Sequence, residues 1–342
     1  MATKIAINGF GRIGRAAFKQ ALASKDLEVV AINDLTTIDN IAYLLRYDSA
    51  YGPYDKEVKT ESKDGNNYLV VDGDRYPYLS EKDPTQLPWK DFGVDVVIES
   101  TGVFTTTEKA SAHLKGGAKR VVISAPAKDE ETPQQLVGTN KDTLSSKNLA
   151  KITSNASCTT NAVVPVAAIM LEKLGIQKSM MSTIHGYTAS QSLVDAPNPK
   201  DPLRGRAAAA NIVPSHTGAA KASGKAVPDL AGIFDAVAIR VPVIVGSIVD
   251  FTFLAKKKTT AEEVNDLLRE AAKEDKWQGV FTITEEPLVS TDIIGKEYAS
   301  IADLTFTRVV DGDLVKIMAW YDNEWGYTSA LIKHVIEVGK LV

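Results

Sequence analysis

The chain has 342 residues, more than one hydrophobic core usually accommodates, so two domains are expected. Its hydrophobic and charged fractions are those of a globular protein, and a net charge of −4 gives no support for general nucleic-acid binding. No stretch has the length of a membrane span, and the first residues predict a strand rather than a signal peptide. A single cysteine excludes an intrachain disulfide, so we expect a reducing, cytoplasmic setting.

The N-terminal part predicts alternating strands and helices. A strand over 4–8, a helix over 15–23 and a strand over 27–33 form a βαβ unit, which predicts a parallel sheet with a right-handed crossover. The elements expected after it are a hairpin within 51–79, a strand at 95–100, a helix at 107–117 and a strand at 120–124.

A glycine-rich turn joins the first strand to the first helix. Gly9, Gly11 and Gly14 form the G-x-G-x-x-G pattern that lets a backbone approach a pyrophosphate at a helix N-terminus. Arg12 and Ile13 lie in the turn over that phosphate. The alternative is a cluster of turn glycines with no ligand, but the position between a strand and a helix favours a dinucleotide site.

Asp34 ends the second strand, twenty positions after Gly14. A carboxylate here accepts hydrogen bonds from the ribose hydroxyls of the cofactor and repels a 2′-phosphate. No Arg or Lys occurs over 35–38 to offset that charge. The sequence therefore favours NAD over NADP.

The second part of the chain predicts an α+β layer on an antiparallel sheet. A long segment with four prolines and little periodicity, 192–218, interrupts it, and such segments are usually functional. The elements predicted in chain order are a helix at 163–174, strands at 179–187, 237–241 and 247–254, a helix at 260–273, a strand at 314–321 and a helix at 325–341.

The single cysteine, Cys158, lies among small polar residues just before a helix. A lone cysteine is more often an inert apolar residue, but such a cysteine lies inside an apolar run. A helix N-terminus favours the nucleophilic thiolate, so we expect a lowered thiol pKa. Lowering the pKa from about 8.5 to about 6 requires roughly 3.4 kcal/mol. A helix terminus supplies about 0.3–1 kcal/mol and at most about 2, so a second partner, most plausibly a histidine, is needed.

The chain has four histidines. His113 and His334 lie on predicted helices and are interpreted as solvated residues, whereas His216 lies in the irregular segment. His185 ends a predicted strand, where a histidine is more often structural than a general base. Spacing alone does not show that His185 contacts Cys158.

Several motifs together resemble those of phosphorylating glyceraldehyde-3-phosphate dehydrogenases. The similarity runs from residue 5 to the terminal helix. Its motifs are NGFGRIGR at 8–15, ND at 33–34, STG at 100–102, SAP at 124–126, SNASCTTN at 154–161, His185, TGAAK at 217–221, RVP at 240–242 and WYDNEWGY at 320–327.

The resemblance implies an α/β Rossmann dinucleotide-binding domain and a second α+β catalytic domain built on a mostly antiparallel sheet. The first domain is expected at 1–157, completed by the C-terminal helix 324–342, and the second at 158–323. An S-shaped loop at about 187–212 is expected to pack near a neighbouring subunit's cofactor, and a homotetramer is the implied assembly. Pro197 matches NAD-preferring members, in agreement with Asp34.

The resemblance also implies the chemistry. Cys158 attacks the aldehyde of glyceraldehyde 3-phosphate, His185 removes the proton, and inorganic phosphate resolves the thioester to 1,3-bisphosphoglycerate while NADH forms. The cofactor residues implied are Gly9, Gly11, Arg12, Ile13, Gly14, Asp34, Lys82, Ser124 and Asn323, of which Asn323 orients the nicotinamide amide. The substrate phosphate is assigned to Thr188 and Arg240, the attacking phosphate to Ser157, Thr159, Thr217 and Gly218, and a place between the two to Arg204. No metal, membrane or nucleic-acid partner is implied.

Two departures from the family pattern stand out. Many members carry a second cysteine four residues after the nucleophile, where this chain has Ala162. Residues 231–235 and 243–246, which flank Arg240, also differ from the usual pattern. The alternatives are an erythrose-4-phosphate dehydrogenase and a non-catalytic NAD-binding redox sensor. The retained phosphate-site residues argue against the sensor.

Overall fold

The computed structural model describes residues 2–199 and 201–342, and the chain divides into two compact units. The first unit comprises Met1–Gln135, Lys141–Ala156 and Leu331–Val342. The second comprises Leu136–Asn140 and Ser157–Ala330. Each unit is built on its own sheet.

The first unit contains an eight-stranded sheet. Its strands are β1 (Thr3–Asn8), β2 (Leu27–Asn33), β3 (Val58–Lys63), β4 (Asn66–Val71), β5 (Asp74–Leu79), β6 (Val96–Glu99), β7 (Arg120–Ile123) and β8 (Ile152–Ser154). Its helices are α1 (Arg12–Ala23), α2 (Ile38–Arg46), α3 (Thr107–Lys115) and α4 (Lys141–Leu144), with a 3₁₀ turn at Pro84–Gln86. The spatial order is β3-β4-β5-β2-β1-β6-β7-β8.

The six neighbouring strands β5, β2, β1, β6, β7 and β8 run parallel, as the βαβ pattern predicts. Every residue of β6 and β7 is buried, as expected of strands covered on both faces. The predicted hairpin at 51–79 contains three strands, because β5 turns back to pair with β2. Helix α1 begins at Arg12, three residues before the predicted start, with Gly11 at its N-cap.

The second unit contains a seven-stranded, mostly antiparallel sheet, as predicted. Its strands are β9 (Ile176–Gly186), β10 (Val213–His216), β11 (Phe234–Val241), β12 (Ser247–Ala255), β13 (Phe281–Thr284), β14 (Ser300–Val310) and β15 (Leu314–Tyr321). Its helices are α5 (Cys158–Lys173), α6 (Ala219–Ala226), α7 (Ala261–Ala271) and the first part of α8 (Trp325–Gly339). Short 3₁₀ turns lie at Pro202–Gly205, Ala208–Ala210, Pro228–Leu230, Asp275–Trp277 and Ser290–Ile293.

The strand order of this sheet is β10-β11-β9-β12-β15-β14-β13. Buried and partly exposed residues alternate along β12, which places Phe251 and Phe253 in the core. The register pairs Ser247 of β12 with His185 on one side and with Tyr321 on the other. These three residues therefore form a row across the sheet. Among the described residues, no helix is both long and apolar enough to traverse a bilayer.

The interpretation of His113 and His334 as solvated residues is wrong, because both are fully buried. His334 contacts Asn155 Oδ1 through Nδ1 (3.1 Å) and Thr153 Oγ1 through Nε2 (3.0 Å). An amide oxygen only accepts, so Nδ1 carries the proton and Nε2 accepts from the hydroxyl. Burial lowers the pKa of His334 to about 3, so the ring is neutral in the folded protein.

Replacing His334 by Gln should flatten the acid side of the stability curve. Unfolded histidine has a pKa of about 6.5, whereas the folded value is about 3. Between these values the unfolded chain binds a proton that the folded chain does not, so stability falls as the pH falls through that window. Urea unfolding between pH 7 and pH 4 measures this slope. We expect His334→Gln to reduce the slope of the unfolding free energy against pH by the equivalent of about one bound proton near pH 5.

The exposed His216 offers the matched control, because His216→Gln removes an imidazole without uncovering a buried site. Its slope shows how far the loss of an imidazole that is not buried changes the pH dependence of stability. Equal slopes for His334→Gln and the unmodified protein would contradict the assignment of proton uptake to His334.

Candidate active site

Cys158 is the first residue of helix α5, in agreement with the prediction of a thiol at a helix start. Ser157 is the N-cap, and its Oγ accepts a hydrogen bond from Thr160 N (3.0 Å). Ala156, just before the cap, is buried and has a positive φ of 54°. The backbone thus makes a left-handed turn immediately before the helix that begins with the thiol.

His185 lies at the end of β9, and its Nε2 is 3.4 Å from Cys158 Sγ. Its other nitrogen, Nδ1, lies 2.6 Å from Gly186 O and 2.7 Å from Arg240 Nη1. A guanidinium only donates, whereas a carbonyl oxygen only accepts. Nδ1 therefore cannot bond to both groups. With the proton on Nδ1, the ring donates to Gly186 O, Arg240 Nη1 donates to the same carbonyl rather than to the ring, and the free Nε2 lone pair faces the thiol. The imidazole is therefore positioned to take the proton of Cys158.

The expectation of a lowered thiol pKa is wrong for this structure. Burial raises the pKa of Cys158, and this effect exceeds the opposing effects of the Arg240 charge and of hydrogen bonds from Thr159 and from the Cys158 N–H. Burial also lowers the pKa of His185 to about 3, with the Arg240 charge acting in the same direction. At neutral pH the pair is therefore a neutral thiol beside a neutral imidazole. The helix terminus favours a thiolate, but the cost of burying its charge is larger, and the local sequence does not reveal that cost.

Tyr321 supports the floor of the thiol site. Its hydroxyl lies 3.0 Å from Thr159 Oγ1 and 2.8 Å from Thr183 Oγ1, and its ring packs edge-on against His185 at 5.8 Å between centroids. Burial raises the pKa of Tyr321, so its hydroxyl stays protonated. Thr159, expected at a phosphate site, is held here by a buried hydroxyl partner.

Arg240 on β11 is largely buried beside His185, and its Nη1 donates to Gly186 O (3.2 Å). Its Nε is buried without a hydrogen-bond partner among the described residues. A guanidinium placed in this way keeps donor capacity for an anion.

A second arginine, Arg204, is the centre of a hydrogen-bonded cluster in the S-shaped segment. It donates from Nε to Ser215 Oγ (2.9 Å), from Nη1 to Ser190 Oγ (3.1 Å) and from Nη2 to His216 O (3.3 Å). Ser190 also contacts Thr188, at 2.9 Å between hydroxyl oxygens. The structure thus brings Thr188 and Arg204 into one cluster. Asp201 contacts Arg204 at 3.1 Å and neutralises part of its charge.

Thr217 and Gly218 lie at the start of α6. Gly218 is the N-cap, the Thr217 hydroxyl accepts from Ala219 N (3.2 Å), and the first turn carries no acidic residue. A helix N-terminus without a neighbouring carboxylate favours an anion. This part of the predicted irregular segment is therefore the short strand β10 followed by a helix.

A cleft of about 400 Å³ lies in the first unit. Gly9, Gly11, Asp34 and Lys82, all predicted cofactor residues, line it. Ser124 follows β7 and is not among the lining residues.

The glycine turn fits a dinucleotide. Gly9 has a φ of +93°, and a Cβ there would lie 2.7 Å from Thr101 N, so a side chain would collide with the adjoining loop. A Cβ at Gly11 would meet no protein atom within 4 Å, so this backbone faces open space. Helix α1, which begins at Arg12 beside this glycine, has no capping side chain and no acidic residue in its first turn. Its amide groups are suited to a pyrophosphate.

Arg12 and Asp34 also have structural partners. Arg12 Nη1 lies 2.6 Å from Asp48 Oδ2, and this ion pair restricts the movement of the guanidinium toward a phosphate. Asp34 Oδ2 accepts from Phe10 N (2.6 Å), and Oδ1 accepts from Thr36 N (2.9 Å). These bonds fix the carboxylate at the edge of the cleft, where it retains lone pairs for a ligand hydroxyl.

Sequence reasoning missed a buried network behind the cleft. Glu99 Oε2 accepts from Asn8 Nδ2 (2.6 Å) and from His113 Nε2 (2.9 Å), and its Oε1 accepts from Thr101 N (2.9 Å). Trp89 donates to His113 Nδ1 (3.0 Å), which fixes the proton of the ring on Nε2. Because Asn8 and Thr101 line the cleft, Glu99 holds two of its walls. The STG motif after Glu99 was the available signal.

Asn323 lies two residues after β15 and is almost fully buried. Its Oδ1 accepts from Gly246 N (3.1 Å) and from Ser247 Oγ (3.0 Å). Because Gly246 N–H can only donate, the amide oxygen must face it and Nδ2 must point the other way. Among the described residues none accepts a hydrogen bond from Nδ2.

Two family models match the chain. The model described as the NAD-binding domain of glyceraldehyde 3-phosphate dehydrogenase matches residues 3–107, and the model of the C-terminal domain of the same enzyme matches residues 157–323. Proteins named glyceraldehyde-3-phosphate dehydrogenase are similar over nearly the whole length. Those from Geobacillus stearothermophilus and Clostridium acetobutylicum are each 47% identical, over 97% and 99% of both chains respectively. One from Trichoderma koningii is 46% identical, over 99% of this chain and 98% of its own. The chain belongs to the glyceraldehyde 3-phosphate dehydrogenase family.

Proposed function

We propose that this enzyme catalyses the NAD-dependent, phosphorylating oxidation of glyceraldehyde 3-phosphate to 1,3-bisphosphoglycerate. The observation that carries the proposal is the 3.4 Å separation of Cys158 Sγ and His185 Nε2 in a chain of this family. A thiol paired with an imidazole is suited to covalent catalysis on an aldehyde. Membership of the family supports the substrate, the cofactor and the glycolytic role.

The reaction begins with proton transfer within the neutral pair. As Sγ attacks the aldehyde carbon, the thiol proton passes to His185 Nε2, so the charge that burial disfavours forms only while the new bond forms. The backbone N–H of Cys158 at the start of α5 is suited to stabilise the substrate oxygen. His185 then gives this proton to the substrate oxygen, which forms the hydroxyl of the hemithioacetal, and takes it back as the hydride leaves the substrate carbon. Bound NAD supplies the hydride acceptor that converts the hemithioacetal into a thioester.

Inorganic phosphate then attacks the thioester carbon, the acyl–sulfur bond breaks and Cys158 is regenerated. For this step we assign Ser157, Thr159, Thr217 and Gly218 to the attacking phosphate and Thr188 and Arg240 to the substrate phosphate, with Arg204 serving both. The unpartnered Arg240 Nε and the acid-free start of α6 support this assignment. The hydroxyls of Ser157 and Thr159 already have protein partners and must share or exchange them with the anion.

For the cofactor we assign Gly9, Gly11, Arg12, Ile13, Gly14, Asp34 and Lys82 to the dinucleotide, with Asn323 oriented toward the nicotinamide amide. The open cleft supports the roles of Gly9, Gly11, Asp34 and Lys82, which line it. Asn323 Nδ2, which has no hydrogen-bond partner among the described residues, supports the role of Asn323. Arg12, Ile13 and Gly14 are assigned on the family resemblance and on their place at the start of α1, and Arg12 would have to leave Asp48 to contact a phosphate. Ser124 is retained as a weaker contact on the family resemblance alone. We also propose the domain division at 157/158, with 324–342 completing the first domain.

We further infer a cytoplasmic homotetramer. The single cysteine and the family resemblance support the compartment. Support for the assembly comes from apolar side chains left exposed in the second unit, on the outer sheet face at Met180, Val237 and Leu314, and in the S-shaped loop 187–212 at Leu193 and Val194. Exposed apolar patches are typical of subunit interfaces. Lys200 of this loop lies outside the described residues.

Replacing Cys158 by Ser should abolish NADH formation, because an alcohol is a far weaker nucleophile than a thiol at neutral pH. Replacing His185 by Asn should lower kcat by about 10²–10⁴, the usual contribution of a general base. Arg240→Met should raise KM for the aldehyde at least about tenfold, the equivalent of 1.4 kcal/mol. The assay follows NADH absorbance with glyceraldehyde 3-phosphate, NAD and phosphate.

Arg206→Gln is the control for the arginine change, since Arg206 is an exposed residue of the S-shaped loop and is paired with Asp195. NADH formation that continues at the full rate without phosphate would contradict the phosphorylating reaction. A higher kcat/KM for erythrose 4-phosphate would favour the alternative dehydrogenase, and NAD binding without turnover would favour the redox sensor.

Replacing Asp34 by Asn should shift the preference between the two cofactors. Removing the negative charge relieves repulsion of a 2′-phosphate and weakens the ribose contact. We therefore expect the ratio of kcat/KM for NAD to that for NADP to fall at least about tenfold, which corresponds to about 1.4 kcal/mol.

Asp39→Asn is the control, because Asp39 lies on α2 of the same unit and does not line the cleft. An unchanged ratio in Asp34→Asn, with the control also unchanged, would show that the carboxylate does not set the preference.

The chain should sediment at four times its mass of 36.8 kDa. The double variant Leu193→Asp, Val194→Asp should shift the association equilibrium toward dimers and monomers, because the exposed apolar side chains of the loop would no longer pack against a neighbouring subunit. Sedimentation equilibrium measures both. Val289→Asp, an exposed valine outside this loop, is the matched control. A monomeric mass for the unmodified chain would overturn the proposed assembly.

A further inference from the structure

Ser247 links the two groups to which the proposed function gives separate tasks. It is nearly fully buried at the start of β12, and the sheet register places it between His185 of β9 and Tyr321 of β15. Its hydroxyl lies 3.2 Å from Gly186 N and 3.0 Å from Asn323 Oδ1. Neither the motifs of the chain nor the catalytic steps described above use this residue.

The direction of each bond follows from what the partners can do. Gly186 N–H only donates, so Ser247 Oγ accepts there. The one hydroxyl proton of the serine is then left for Asn323 Oδ1, which only accepts. Together with Gly246 N, this bond fills both lone pairs of the amide oxygen. The Asn323 side chain is therefore held with its oxygen inward and with both Nδ2 hydrogens free to donate.

The same hydroxyl reaches the base through the backbone. Gly186, which donates its N–H to Ser247, uses its carbonyl to accept from His185 Nδ1 (2.6 Å). Gly186 N–H belongs to the peptide shared with His185 and Gly186 O to the next peptide, so the hydrogen bonds to Ser247 and from the His185 ring meet at one residue. The Ser247 hydroxyl therefore links the backbone that carries His185 to the Asn323 side chain. Removing the hydroxyl takes the Ser247 acceptor from the buried Gly186 N–H and leaves Asn323 Oδ1 held, among the described residues, by Gly246 N alone.

We infer that Ser247 is a positioning residue that fixes Asn323 as a donor to the carboxamide oxygen of the nicotinamide and keeps it in register with His185. The inference rests on the role proposed above for Asn323. Asn323 held in this way presents only N–H donors to the nicotinamide. Such donors distinguish a carbonyl oxygen from a weaker acceptor, which packing alone does not do.

The probe is thio-NAD, in which sulfur replaces the carboxamide oxygen and accepts hydrogen bonds poorly. Calorimetric titration of the full chain gives Kd for NAD and thio-NAD, and their ratio reports the contact independently of turnover. We expect the unmodified protein to favour NAD. Ser247→Ala should lower this ratio at least threefold, whereas Ser247→Thr, which keeps a hydroxyl, should retain it.

Ser300→Ala is the matched control. Ser300 is fully buried on β14 of the same sheet, and its hydroxyl has no hydrogen-bond partner among the described residues. Ser300→Ala therefore removes a buried serine hydroxyl of this sheet without breaking a hydrogen bond to a described residue, and it should leave the ratio unchanged. If Ser247→Ala does not fold, a folded Ser247→Thr variant with no preference for NAD overturns the inference.

Asn323→Ala separates the two levels of the proposal. If Asn323→Ala loses the preference and a folded Ser247→Ala keeps it, the positioning role is wrong and the role of Asn323 stands. If Asn323→Ala keeps the full preference, or the unmodified protein shows none, the role proposed for Asn323 is wrong and the inference about Ser247 fails with it.

Discussion

The proposed chemistry depends on a single hydrogen bond between two side chains that different elements supply. Cys158 starts helix α5, and His185 ends strand β9, so the Sγ–Nε2 distance of 3.4 Å is set by how that helix and strand pack. Gly175, with a φ of +71°, reverses the chain between them. A displacement of about 1 Å at such a pair can cost a factor of 10² in rate. The packing of the second unit is therefore part of the catalytic apparatus.

Burial and charge act against each other around that pair. Burial alone disfavours both a thiolate and an imidazolium. Arg240 supplies the positive charge that opposes the effect on the sulfur, yet it also disfavours protonation of the neighbouring ring. The outcome is a resting state without charge on either reacting group. Charge separation is then confined to the moment of reaction, when an anionic substrate is present to balance Arg240.

The sequence was a good guide wherever a feature is local along the chain. The glycine turn after β1, the strand β12 and the helix near Cys158 each depend on neighbouring residues, and the structure has a turn, a strand and a helix there as predicted, although α5 begins five residues before the predicted 163–174. Burial of His113 and His334 was missed because a histidine on a helix does not reveal what packs on it. The sign of the Cys158 pKa shift was missed because desolvation depends on the assembled fold. Ser247 gave no signal, since its partners come from other strands and from a loop.

Ala156 limits which substitutions the turn before helix α5 accepts. Its φ of 54° is a conformation that costs an L-residue about 1–2 kcal/mol, and its side chain is fully buried. β-Branched or bulky residues are excluded by the backbone and the lack of space, while glycine would relax the turn and loosen the approach to the helix that begins with the thiol. Only the smallest side chain that still restricts the backbone suits both demands. A residue with no chemical group of its own thus narrows the choice of side chains at the turn that leads to Cys158.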